Sequence, residues 1–217
     1  MSAPPGNYET LRSRWRDDLE LLHIDVTGLF HHRQIWSGMR EALVDKDPTF
    51  FLDHYAEMYV ASQTLRVRRL ADPKADGSTR SLARLVSAIA ANEAALDRAW
   101  FIEQHIVNVE NDSRTMWSEL ADETYTHRFV MHPTDETPTG AAELGRSLSQ
   151  VSEKVSAFAD RYVAHLDSRG VAQLPTFDDL DTAIDVIGSV VTDLELLLNQ
   201  KSLSLSLIHI SEPTRPY

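Results

Sequence analysis

Apolar side chains return at helical intervals along nearly the whole chain, and no segment alternates with the two-residue period of a strand. In the first segment Tyr8, Trp15, Leu22, Leu29, Trp36 and Leu43 recur every seven residues, flanked by Leu11, Leu19 and Val26. That pattern predicts one buried stripe, on a single long helix or on a pair broken near Gly28. Asp47 followed by Pro48 suits a helix start and Pro73 a stop, so a second helix is expected from Thr49 to Ala71, with Phe51, Tyr55, Met58, Ser62, Leu65 and Arg69 on one face. A third helix should begin after Ser78, and a fourth should cover much of Asn92 to Tyr125. The turn-rich stretch from Pro133 to Gly140 reads as a loop within the bundle, too short for a domain linker.

Beyond that loop Leu144, Leu148, Val151, Val155, Phe158 and Tyr162 alternate steps of three and four, and His165 extends the stripe. The helix from Ala141 to Asp167 is therefore expected to bury one sharp face. A last helix begins at Thr176, with Asp179 three residues on as the second half of a capping box, and carries Leu180, Ile184, Ile187, Val191, Leu194 and Leu198. The sum is an all-α antiparallel bundle of about five to six helices.

Composition narrows the chemistry. With 217 residues and 42% hydrophobic content, the chain is large enough for one buried core. It contains no cysteine, which removes disulfides, thiolate nucleophiles and cysteine-ligated metals, and fits a reducing cytoplasm. No apolar run approaches the ~18 residues of a membrane helix, and residues 1–10 lack a secretory pattern, so a soluble protein away from membranes is expected. The formal charge of -12 argues against broad binding to nucleic acid, which rests on many basic contacts to phosphate. The densest basic cluster is Arg66, Arg68, Arg69, Arg80 and Arg84; it reads either as an RNA or nucleotide contact or as a solvated face paired with the surplus acids.

The candidate chemistry lies in Phe158 to Asp167. Arg161 and His165 project from neighbouring turns of one helical face. A guanidinium can clamp a phosphate through two hydrogen bonds while an imidazole moves a proton near neutral pH, which suits cleavage of a phosphodiester by a 2′-hydroxyl. Taken alone, the same spacing also describes an exposed arginine beside a partly buried histidine.

Three segments carry a family resemblance: Leu65 to Pro73, Ser81 to Val86, and Val163 to Asp167 followed by Pro175 to Leu180. Their order resembles the HEPN superfamily, in the branch named for the U-type abortive-infection proteins of bacteria. The resemblance implies one HEPN-like helical domain over residues 1–201, a place in a prokaryotic defence or toxin-antitoxin type system, a homodimer with the helix from Ala141 to Asp167 at or near its interface, and a metal-independent endoribonuclease. Active members carry an arginine, a polar residue, and then a histidine after four to six intervening residues. Here His165 stands at the histidine and Asp160 at the polar residue, while Ala159 holds the place of the arginine. His165, Arg161 and Asp160 are thus the candidate catalytic residues, and Ala159→Arg would rebuild the family's spacing.

Other arrangements are weaker. Arg16 and His23 have six residues between them but lie on the first helix, where the resemblance does not place the motif. Glu20 and His23 have the spacing of a di-iron bundle ligand pair, but no second Glu-x-x-His accompanies them. His54, His127 and His132 do not form a coherent set, and adjacent His31 and His32 should point apart. No metal or other cofactor is expected. The alternative function is a non-catalytic dimeric module that binds a cognate partner protein or a nucleotide. The end, residues 202–217, resembles a translated sequencing adaptor and reads as a non-native tail.

Overall fold

The computed structural model describes residues 7–43, 46, 49–74, 79–163 and 175–201. Every regular element among them is helical: α1 (Tyr8–Leu43), α2 (Thr49–Ala71), α3 (Leu82–Ala90), a 3₁₀ turn (Glu93–Leu96), α4 (Arg98–Ile106), α5 (Asn111–Arg128), α6 (Ala141–Phe158), a π-helical turn (Ala159–Val163) and α7 (Phe177–Asn199). The all-α bundle expected from periodicity is what forms, with seven α-helices described.

The seven-residue stripe makes α1 a single helix of 36 residues. Trp15, Leu19, Leu22, Val26, Leu29 and Trp36 are buried along it. Gly28 does not break the helix; a Cβ there would stand 2.3 Å from Nη1 of Arg66, so its bare backbone lets that side chain lie across α1. The expected fourth helix is divided into the 3₁₀ turn, α4 and α5. Asp97 causes one break: in an extended conformation its side chain accepts from the Trp100 amide and so caps α4. A turn then separates Ile106 from α5 and lets the two helices fold back on each other.

The loop at 133–140 is held by Arg98. Its Nη2 donates to the carbonyls of Pro133 (2.7 Å) and Asp135 (3.0 Å), and its Nη1 donates to Asp122 (2.8 Å) and Thr126 (2.9 Å). One guanidinium therefore satisfies loop carbonyls and ties them to α5. The Tyr125 hydroxyl, whose pKa burial raises, donates to Leu96 O at 2.9 Å beneath this clamp.

Helix α6 is the centre of the bundle, packed against α2, α3 and α7. Leu148, Ser152 and Val155 face inward and are buried, while Glu143, Arg146, Ser149, Gln150 and Glu153 are exposed. Its apolar stripe is therefore used within the protomer, because three neighbouring helices cover it. Helix α7 begins with the expected capping box: Thr176 Oγ1 accepts from the Asp179 amide (3.1 Å), and Asp179 accepts from the Thr176 amide (2.6 Å). The Lys154 ammonium first, at 2.5 Å, and the Thr176 amide second hold the Asp179 carboxyl down at about 2. A depressed carboxyl stabilises the fold above its unfolded value and loses that effect as pH falls through about 2, so the box persists in mild acid. Thr176→Ala should lower stability by ~1 kcal/mol, read from urea midpoints at neutral pH; no change would mean that Asp179 alone suffices as the cap.

Candidate functional site

The basic C-terminal half of α2 lies between α1 on one side and the π-helical turn on the other. Its charges are matched locally. Arg69 donates to Asp25 of α1 at 2.5 Å, and Arg66 lies 3.7 Å from the same carboxylate. Arg80 donates to Asp18 at 2.6 Å, and Arg84 donates to the Thr79 carbonyl at 2.6 Å. Burial first and the Arg66 charge second hold the His32 imidazole below its ordinary value. This agrees with the reading of a basic face paired with acids. Arg66, Arg69 and Arg80 are nonetheless partly exposed to solvent.

Helix α6 changes pitch at its end. From Ala159 the backbone widens into the π-helical turn, and the angular step from residue to residue differs from that of an α-helix. Ala159 points into the core and is fully buried, whereas Asp160 and Arg161 are exposed. Asp160 accepts from Arg68 Nε, which joins the turn to α2 across ninety-two positions of sequence, and Arg68 also approaches Asp72 at 3.8 Å. Of the predicted site residues, Asp160 and Arg161 thus lie on one solvent-facing turn. His165 lies outside the described residues.

Arg68 is the member that sequence reasoning missed. It stood in the basic cluster, but nothing in the local pattern distinguished it from Arg66 or Arg69. Its pairing with Asp160 is set by how α2 crosses the end of α6.

The alternative sites do not assemble. Arg16 donates to the Leu198 carbonyl at the end of α7 (3.0 Å), and His23 lies 3.7 Å from Glu195, so both are engaged between α1 and α7. The neighbour of His23 is Glu195, not the exposed Glu20. His127 sits 3.9 Å from Glu123 on an exposed face, and His54 and His132 are exposed on other elements. His31 and His32 are both partly buried, with ring centres 6.1 Å apart: His31 lines a cleft between α1 and α7, and His32 feels the charge of Arg66 on α2. Among the described residues no three His, Asp or Glu side chains are placed to hold a metal ion.

Two open clefts flank α1. One, of about 490 Å³, is lined by Arg14, Asp18, Arg80 and Arg84 beside the capped start of α3. The other, of about 540 Å³, lies between α1 and α7, and its Arg33 is bound to Asp185 at 2.7 Å. In the first, Asp18 answers Arg80 while Arg84 is held by the Thr79 carbonyl; in the second, Asp185 answers Arg33.

The order of elements and the placement of the α6 end against α2 coincide with the residues that carried the family resemblance. The AbiU2 family model of HEPN proteins matches residues 15–211. The chain belongs to the HEPN AbiU2 family. The match spans every helix of the bundle from the buried Trp15 onward, so fold and family assignment rest on the same core. It also runs past Lys201 into the segment that resembles an adaptor. No curated protein and no solved structure matches the chain. Membership places this HEPN protein among abortive-infection modules, and among the described residues no helix is long and apolar enough to cross a membrane.

Proposed function

We propose that this HEPN AbiU2 protein acts in bacterial defence as a metal-independent endoribonuclease, centred on the turn that ends α6. The observation that supports it is the Asp160–Arg68 pair, which fixes an exposed turn carrying Arg161, four positions before His165 in sequence. In this reading His165 moves the proton of the attacking 2′-hydroxyl or of the leaving oxygen, Arg161 neutralises the phosphate, and Asp160 positions Arg68 as a second cation near the scissile group. The 2′-hydroxyl attacks phosphorus, the 5′-oxygen leaves with a proton, and a cyclic phosphate remains.

The test is incubation of the full chain with mixed cellular RNA in the presence of a chelator. Wild type should yield fragments ending in cyclic phosphate, and His165→Ala should lower the rate by roughly 10²- to 10⁴-fold, as loss of a general acid or base does. Arg161→Ala and Arg68→Ala should each reduce it, and Arg16→Ala should not. Activity that survives His165→Ala would remove the site from this turn.

A second reading is favoured by one observation. Ala159, where active relatives are expected to carry arginine, is fully buried and apolar. A HEPN bundle disarmed in this way would bind a cognate partner protein or a nucleotide without cleaving. Inactive wild type, with tight retention of RNA or nucleotide weakened by Arg68→Ala, would favour it.

A further inference from the structure

The cleft between α1 and α7 has in its wall a buried donor with nothing to donate to. Trp36 lines it and is 8% exposed, yet its indole Nε1 meets no acceptor among the described residues. Buried indole nitrogens nearly always find a partner, because an unmade hydrogen bond forfeits what water would supply. Two exposed residues of the same cleft cover Trp36: the Arg40 guanidinium lies 5.8 Å from its ring centre, and Phe177 (40% exposed) stacks on it at 5.7 Å and 15°. Tyr59 and Tyr55 continue the stack on α2, at 5.4 and 5.9 Å from Trp36. The charges fall into two groups. Arg33 is bound to Asp185 at 2.7 Å and lies 4.0 Å from Asp181, so these three answer one another. Arg40 makes no ion pair among the described residues. Burial first holds the Asp181 carboxyl above its ordinary value, against the pull of Arg33.

We propose that this cleft binds a small aromatic monocarboxylate, whose carboxylate accepts from Trp36 Nε1 and Arg40 and whose ring lies against Phe177. The unmet groups of the wall are donors, so the ligand must bring an acceptor, and a charged acceptor makes the stronger bond to a guanidinium. Arg40 swings off the indole to meet it, which opens the way to Nε1. A flat ring adds one more layer to a stack that is already nearly parallel. One negative charge is answered by Arg40, whereas a phosphate monoester, with roughly two at neutral pH, would set its second against Asp181 and Asp185. The site shares no residue with the turn that ends α6, so its test is independent of the proposed nuclease.

Calorimetric titration of the full chain with benzoate, benzamide and phenyl phosphate compares three charges on one ring. Benzoate should bind, roughly tenfold more tightly than either of the others. Arg40→Met should weaken it by about tenfold or more, and Trp36→Phe, which keeps a ring and removes the donor, should weaken it several-fold. Asp181→Asn should tighten it, because an opposing charge is gone. A merely structural role would not give opposite signs on the two walls of the cleft. Arg40 is exposed and the Asp181 side chain half-exposed, so both variants should keep a thermal midpoint near wild type, which separates a lost site from a lost fold. No binding of benzoate by ~10 mM overturns the proposal. So does benzamide or phenyl phosphate bound as tightly as benzoate, or an affinity for benzoate that any of the three substitutions leaves unchanged.

Discussion

Ala159→Arg should destabilise the protein by roughly 3 to 5 kcal/mol, the order found when a charge is left buried without a partner, and should add no cleavage to that of wild type. Spacing alone gives the opposite expectation, since arginine at this position rebuilds the family's motif with His165. The structure puts the side chain of residue 159 inside the bundle, fully buried beneath the end of α6. The nearest carboxylate in sequence, Asp160, faces outward and is already bound by Arg68. A guanidinium there needs five hydrogen-bond acceptors that an apolar core does not offer, and its bulk must displace packed side chains as well. Urea midpoints of wild type and variant measure the loss, with RNA cleavage assayed in parallel. A variant as stable as wild type that cleaves RNA faster than wild type would show that residue 159 reaches the cleft, and would return the family's arginine to the place spacing assigns it.

Leu148→Ala should cost about 2 to 5 kcal/mol, the range for truncating a buried leucine. Leu148 is fully buried near the middle of α6, which packs against α2, α3 and α7. Three helices converge on α6, so the cavity left by the missing atoms cannot close by the shift of any one of them. The loss should be several times that of Thr176→Ala, where one capping hydroxyl disappears from a helix end that Asp179 and Lys154 still hold. Both are read from urea midpoints with unchanged slope. A Leu148→Ala effect no larger than that of Thr176→Ala would mean that the α6 stripe is not core.

Some of this was legible in the sequence because it is local. The long first helix followed from its seven-residue repeat, α2 from its flanking prolines, and the start of α7 from two residues three apart that cap each other. These features depend on neighbours within a turn or two, where spacing and chemistry nearly dictate geometry. The breaks at Asp97 and before α5 were hidden, since an aspartate inside an apolar pattern looks like a solvated residue until its side chain turns back to cap.

The sequence by itself determined an all-α bundle, its family, the absence of thiol chemistry, and the set of residues from which a site can be drawn. Only the tertiary structure decided which of them meet. It turned Ala159 inward and Asp160 outward at the widened end of α6, joined Asp160 to Arg68 across the chain, and bound Arg16 and His23 to α7. It also buried the α6 stripe and left that of α2 exposed, though both have helical periodicity. Periodicity reports that one face of a helix is apolar. Whether that face meets the core depends on which side of the helix its neighbours pack against, which no local pattern encodes.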